Sequence, residues 1–187
     1  MEPPPVPPGF EPPDLTGPLD LEARLASTPP ATMARGFFLL EAADFFGIET
    51  RVEFYAYRSY PAEDYLRLIV DGAGEKEPKR QLLEFGRRMI RRVGQTRPGR
   101  IVLALAGDDP ATMISQVERT LRVLSHRGKA RIVDRGPNHA RYELDQLWTF
   151  PSILVGCSIG AFEAVGATPR VYQRSYSLSS NEHFVTW

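Results

Sequence analysis

At 187 residues the chain is long enough for one domain with a sizeable core and too short for two large ones. Its 23 Lys and Arg balance 23 Asp and Glu, no apolar run reaches about 18 residues, and the acidic, proline-rich start lacks the basic and apolar regions of a signal peptide; a cytoplasmic protein without a membrane span is expected. One cysteine, Cys157, excludes an internal disulfide and any multi-thiolate zinc site.

Ten of the 17 prolines lie in residues 1–30, in MEPPPVPPGFEPPDLTGPLDL and then TPP. Proline removes backbone donors and favours polyproline II, so this segment is predicted to be an extended, largely disordered arm that tethers the domain. Its PxxP spacing also suits an aromatic groove on a partner. The folded domain is placed at residues 31–187.

ARGFFLLEAADFFGIE reads as a first helix, stopped by Gly47. YPAEDYLRLIVDGAG reads as a second, with Pro61 at its first position, Glu63 and Asp64 in the positive first turn, and Tyr65, Leu66, Ile69 and Val70 inward. A third runs from about Pro78 to Val93: at 100° per residue, Leu82, Leu83, Gly86, Met89, Ile90 and Val93 share one arc, and Arg80, Arg87, Arg88, Arg91 and Arg92 occupy the other. Gly86 at the centre of the apolar arc costs about 1 kcal/mol of helix propensity relative to alanine, which implies a need for room, either for a crossing helix or for a ligand.

GRIVLALAG is short and apolar, and its period does not separate strand from buried helix. DDPATMISQVERTLRVLSHRG gives a further helix, capped by Asp109, with Met113, Val117, Leu121 and Leu124 inward and Gly128 as stop. KARIVDR and HARYELDQ flank GPN as a β-hairpin, PSILVGCSIGAFEAVG is a late helix, and RVYQRSYSLS pairs with EHFVTW across SSN. The order predicts α+β: an N-terminal helical part packed with an antiparallel sheet of about four strands, and a late helix between the hairpins.

GCSIG satisfies the nucleophile-elbow pattern G-x-S-x-G around Ser158, with Glu182 and His183 following. That fold needs several βα units on both sides of the elbow, which this order lacks, so no catalytic residue is assigned and serine hydrolysis is a minor alternative. Read structurally, Gly156, Gly160 and Ala164 stand four apart on one helix face, where small residues let another backbone approach; they are assigned to helix packing or a homodimer contact. His126, His139 and His183 have no metal-ligand spacing, and no metal or cofactor is expected.

The balanced charge hides a polarity. Residues 79–141 hold fifteen Lys and Arg against five Asp and Glu, leaving eight against eighteen elsewhere. The five helix arginines, extended by Arg119, Arg122, Arg127, Lys129 and Arg131, form a candidate contact for an acidic protein partner or an anion. A nucleic acid is the lesser reading, because the stretch lacks interleaved aromatics and any reading-head motif.

Taken in order, ARGFFLLEA, YPAEDYLRLI, LLEFGRRMI, PGRIVLALAGDDP, PSILVGCSIGAFEAVGA and FVTW resemble a paralogous myxobacterial family of unknown function, over Ala34 to Trp187. That family is similar to the haem-nitric-oxide-binding, vinyl-reductase-type and TRAPP-like ligand-binding superfamily. The resemblance implies an α+β scaffold for small-ligand sensing or protein assembly, with a proximal histidine on the helix matching DDPATMISQVERTLRVL and a Tyr-x-Ser-x-Arg clamp in haem-binding members. This sequence has no histidine on that helix and keeps only Tyr142 of the clamp.

The expectation that results is a non-enzymatic regulatory or adaptor domain in bacterial signalling, working through its basic helix. A sensor holding a hydrophobic small molecule near Phe37, Gly86 and Met89 is the alternative.

Overall fold

A computed structural model describes residues 3–50, 53–124 and 127–187, so His126 lies outside the described residues. The helical part contains α1 (Leu21–Ser27), α2 (Gly36–Phe46), α3 (Ala62–Ala73), α4 (Pro78–Gln95), α5 (Arg97–Ala106), α6 (Pro110–Ser115) and α7 (Val117–Leu124). Two short strands, β1 (Met33–Arg35) and β2 (Ser59–Pro61), pair antiparallel within it. There follow β3 (Lys129–Gly136), β4 (His139–Asp145), α8 (Pro151–Glu163), β5 (Arg170–Ser175) and β6 (Asn181–Thr186). The fold is α+β, with a four-stranded antiparallel sheet in the order β3-β4-β6-β5.

Local chemistry accounts for most boundaries. α2 ends where Gly47 adopts φ 66°, a left-handed conformation that costs glycine no Cβ clash. α4 and α8 both open on a proline, Pro78 and Pro151, whose missing N–H is one the first turn leaves unpaired anyway. Asp109 caps α6 by accepting from the backbone N–H groups of Ala111 and Thr112. The tight hairpin β3–β4 turns at Pro137 and Asn138, as the GPN signal predicts.

α8 is apolar on nearly every side and is buried accordingly. One core cluster, with Phe38, Leu39, Leu66, Ile69, Phe85 and Ile153, fills the space between α2, α3, α4 and α8. A second, with Ile114, Leu144, Leu154, Val155, Phe162 and Val185, lies between α8, α6 and the sheet. β6 is buried along its whole length, because α8 covers one face of the sheet and the N-terminal segment reaches the other.

Three segments differ from expectation. GRIVLALAG is the half-exposed helix α5 rather than a buried element, with Ile101 and Leu105 facing out. The helix expected after Asp109 is broken at Gln116 into α6 and α7. The proline-rich arm is expected to be an extended, largely disordered tether over residues 1–30; its described residues 3–30 include α1 and pack against the domain. Asp20 caps α1, Arg24 is buried with a guanidinium N–H donating to the Leu178 carbonyl at 2.6 Å, and Phe10 is 7% exposed. Composition shows that such a segment forms no core of its own; it does not show that it lacks a surface to lie on.

Candidate functional site

α4 and α8 cross with backbones in contact. A Cβ at Gly86 would fall on the Ile153 carbonyl oxygen, one at Gly156 on that of Leu83, and one at Gly160 would lie 2.7 Å from that of Arg87. The room implied by Gly86 is therefore taken by a crossing helix. Gly156 and Gly160 are buried against α4 of the same chain, so the face assigned to a homodimer is spent within the monomer, and Ala164 is the exposed residue capping α8.

The basic face finds acids within the chain. Arg87 Nε donates to Glu163 at 2.7 Å, and Arg91 reaches the same carboxylate at 3.0 Å. Those two guanidiniums hold the Glu163 carboxyl below its ordinary range, with Arg87 the larger cause. Arg88 pairs with Asp44 over the ring of Phe45, Arg92 with Glu41 at 3.2 Å, and Arg80 with Glu77 at 3.7 Å. α7 packs on β3. The surface expected to meet an acidic partner or anion is thus one side of an intramolecular network. Glu41 is 8% exposed, so reversing its partner would leave two carboxylates facing each other at low exposure. Arg88→Glu with Arg92→Glu is expected to lower stability by about 1–2 kcal/mol, read as a urea midpoint shift at unchanged slope.

The cavity lies on the other side of α8 from Phe37, Gly86 and Met89, none of which lines it. It measures about 80 Å³ and is bounded by Met113 and Ile114 of α6, Val117, Thr120 and Leu121 of α7, Tyr142 and Leu144 of β4, Ile90 of α4, and Leu154, Cys157, Ser158, Ala161 and Phe162 of α8. Its walls are apolar apart from Thr120 and one pole. There the Tyr142 hydroxyl donates to Ser158 Oγ at 2.7 Å, Ser158 donates to the Leu154 carbonyl at 2.9 Å, and His183 Nδ1 stands 3.0 Å from Ser158 Oγ. A hydroxyl has one proton; with it on Leu154, Nδ1 carries the imidazole proton and Nε2 is a bare acceptor.

Among the described residues, that Nε2 is buried without a partner, as are Gln173 Oε1 and both amide atoms of Asn181. Gln173 pairs across strands with His183, and Asn181 stands two residues before it, so all three side chains share the inner face of the sheet. Hydrogen-bonding capacity is left over beside the cavity. Every titratable group at this pole is neutral: burial lowers the His183 pKa to about 4, pushes the Cys157 thiol up to about 12, and raises the Tyr142 phenol well above its usual value.

The elbow residues do meet, in a different geometry. Ser158 sits within α8, not at a strand-to-helix turn, and Glu182 faces the opposite side of the sheet, held by Arg141 at 3.2 Å, Arg174 at 2.5 Å and the Tyr176 hydroxyl at 2.6 Å. Among the described residues no carboxylate orients the imidazole. The sequence placed Met113, Val117 and Leu121 on an inner face, which was the available signal for the cavity; the contribution of Cys157 and Ser158 depended on which side of α8 the sheet covers.

Among the described residues no three His, Cys, Asp or Glu side chains cluster as a metal site, and no helix is long and apolar enough to cross a membrane. Residues 48–187 match the family model described as Protein of unknown function (DUF2378). No curated protein matches the chain. Among solved structures, a point mutant of the H-NOX protein from K. algicida, Fe(II) and unliganded, superposes with TM-score 0.65 at 11% identity, over 81% of this chain and 95% of that one. An H-NOX protein from S. oneidensis in the Fe(II)NO ligation state gives 0.65 at 9% identity, over 81% and 97%. At such identities the likeness is one of fold.

Proposed function

This chain belongs to the DUF2378 family, and we propose that it is a non-enzymatic sensor domain of a signalling protein that takes a small, neutral, largely apolar molecule in the cavity between α6–α7, β4 and α8. The H-NOX-like fold supports a ligand-binding role, and the observation that carries the reading is the cavity itself, largely apolar, with a hydrogen-bonding pole at Tyr142 and Ser158 that His183 backs. A charged ligand would have to be desolvated against groups that are all neutral, at a cost of several kcal/mol. A neutral ligand with one hydroxyl to donate meets both the walls and the pole, where the protons of Tyr142, Ser158 and His183 are already engaged.

Haem, the group carried by the structural relatives, does not fit these residues. The cavity of about 80 Å³ is well below the roughly 300–1,000 Å³ of drug-sized ligand sites. An engineered cavity that admits benzene measures about 150 Å³, which places the expected guest at benzene size or smaller. α6 and α7 present Met113, Ile114, Val117, Thr120 and Leu121 and no imidazole, and the Cys157 thiol and Tyr142 phenol stay protonated. Among the described residues no cation lines the cavity to meet a propionate.

Native mass spectrometry of the full chain tests this. The wild type is expected to retain an adduct of low mass, and Ala161→Leu, which fills the cavity from α8, is expected to lose it while keeping the far-UV spectrum. A bare wild-type mass, or an adduct that Ala161→Leu leaves in place, rejects the site.

A further inference from the structure

The outer face of the sheet carries a second contact, and it is made by the chain's own start. Phe10 N–H donates to the Pro7 carbonyl at 3.3 Å, closing a turn in which Gly9 has φ 81°. With Pro8 before it, this is type II geometry, which needs a glycine at that place. The turn drops Phe10 onto Phe184 of β6 at a ring separation of 5.9 Å and beneath the Arg174 guanidinium at 4.9 Å. Glu11 then pairs with Gln173 on the edge strand β5, donating to its carbonyl at 3.0 Å and accepting from its N–H at 2.8 Å.

Pairing goes no further. Pro12 and Pro13 have no N–H to offer, so the arm forms one isolated bridge where an ordinary edge strand would add a ladder. The segment is held by one aromatic anchor and two backbone hydrogen bonds. The pattern has the parts of β-strand addition: main-chain pairing to an edge and a pocket for one side chain. The Arg174 guanidinium, held by Glu182, lies over the Phe10 ring and closes the pocket from above.

We propose that this face of the sheet is a docking groove for a protein partner presenting an extended, proline-flanked aromatic residue, and that Pro7–Glu11 is the resident occupant a partner displaces. The aromatic fills the place of Phe10 beneath Arg174, and the flanking prolines keep the segment extended and limit pairing to a single residue.

The probe is a synthetic peptide of residues 6–13, VPPGFEPP, titrated into the full chain and into its Phe10→Ala variant, with the Gln173 amide followed by NMR. The tethered arm competes at an effective concentration of order millimolar in the unmodified chain, and far less once its anchor is gone. Peptide binding to Phe10→Ala is expected to be at least tenfold tighter than to the unmodified chain, to shift the Gln173 amide, and to vanish when the peptide's own phenylalanine is alanine. Glu11→Pro, which removes one bridge donor and keeps Phe10, should move binding in the same direction by less. Equal binding to both chains, or no binding to a folded Phe10→Ala variant, overturns the proposal; so does a Phe10→Ala variant that fails to fold, since the arm would then be core.

Discussion

Replacing Gly156 with alanine is expected to destabilise the protein by about 3 kcal/mol, although alanine is the better helix former by about 1 kcal/mol. The sign is decided by what the new methyl group meets. At Gly156 it meets the Leu83 carbonyl oxygen and the Arg87 backbone nitrogen, which move only if α4 moves. At Gly94 it meets the Leu103 side chain at 2.9 Å, and a leucine can rotate away. Gly94→Ala should therefore stay within about 1 kcal/mol of the wild type, whereas Gly156→Ala should lower the melting temperature by about 6–12 °C. Equal effects at the two positions would contradict the backbone contact between α4 and α8.

Stability is expected to fall by about 2 kcal/mol between pH 7 and pH 5, with His183 as the source. In the unfolded chain this histidine titrates near its ordinary 6.5; in the folded protein burial holds it to about 4. Between those values the unfolded state takes up a proton that the folded state refuses, so the contribution is whole above 6.5, is lost as pH falls towards 4, and is constant below. The physical cost is a charge created among Tyr142, Ser158 and the apolar cavity wall. Glu163, held low by Arg87 and Arg91, loses its contribution only as pH falls through the carboxylate range, which leaves the interval from 6.5 to 5 to the histidine. His183→Asn keeps a hydrogen-bonding atom near Ser158 and cannot titrate; urea midpoints should become flat across that interval. A wild type that is itself flat would mean that His183 is solvated.

Much of the architecture was legible because it rests on local chemistry. The period of α4, the proline at the head of α8, the GPN turn and the alternation of β4 are each written within a few residues. The aim of these elements was not. Gly86, Gly156 and Gly160 signal a close approach, and nothing in their spacing says whether the approaching backbone belongs to the same chain. The arginines of α4 read as an open surface because Asp44, Glu41 and Glu163, which pair with them, are 44, 51 and 72 or more residues away. The cavity escaped for a related reason. α8 is apolar all round, so its sequence cannot say which flank is packed tight and which is left loose. The prolines of the arm describe its stiffness accurately and are silent about its destination.

The position of β6 bears on how the molecule assembles. It follows every other described element in sequence, yet it sits inside the sheet, joining β4 to β5. Until residues 181–186 are in place, β5 has no partner strand, Ser158 and Tyr142 lack their imidazole, and the ring of Phe10 has nothing beneath it. The contact between Arg24 and Leu178, 154 residues apart, closes on the same region. Loop-closure entropy must be met before these contacts can offset it, and until β6 is in place the edges of β4 and β5 that it covers stand open.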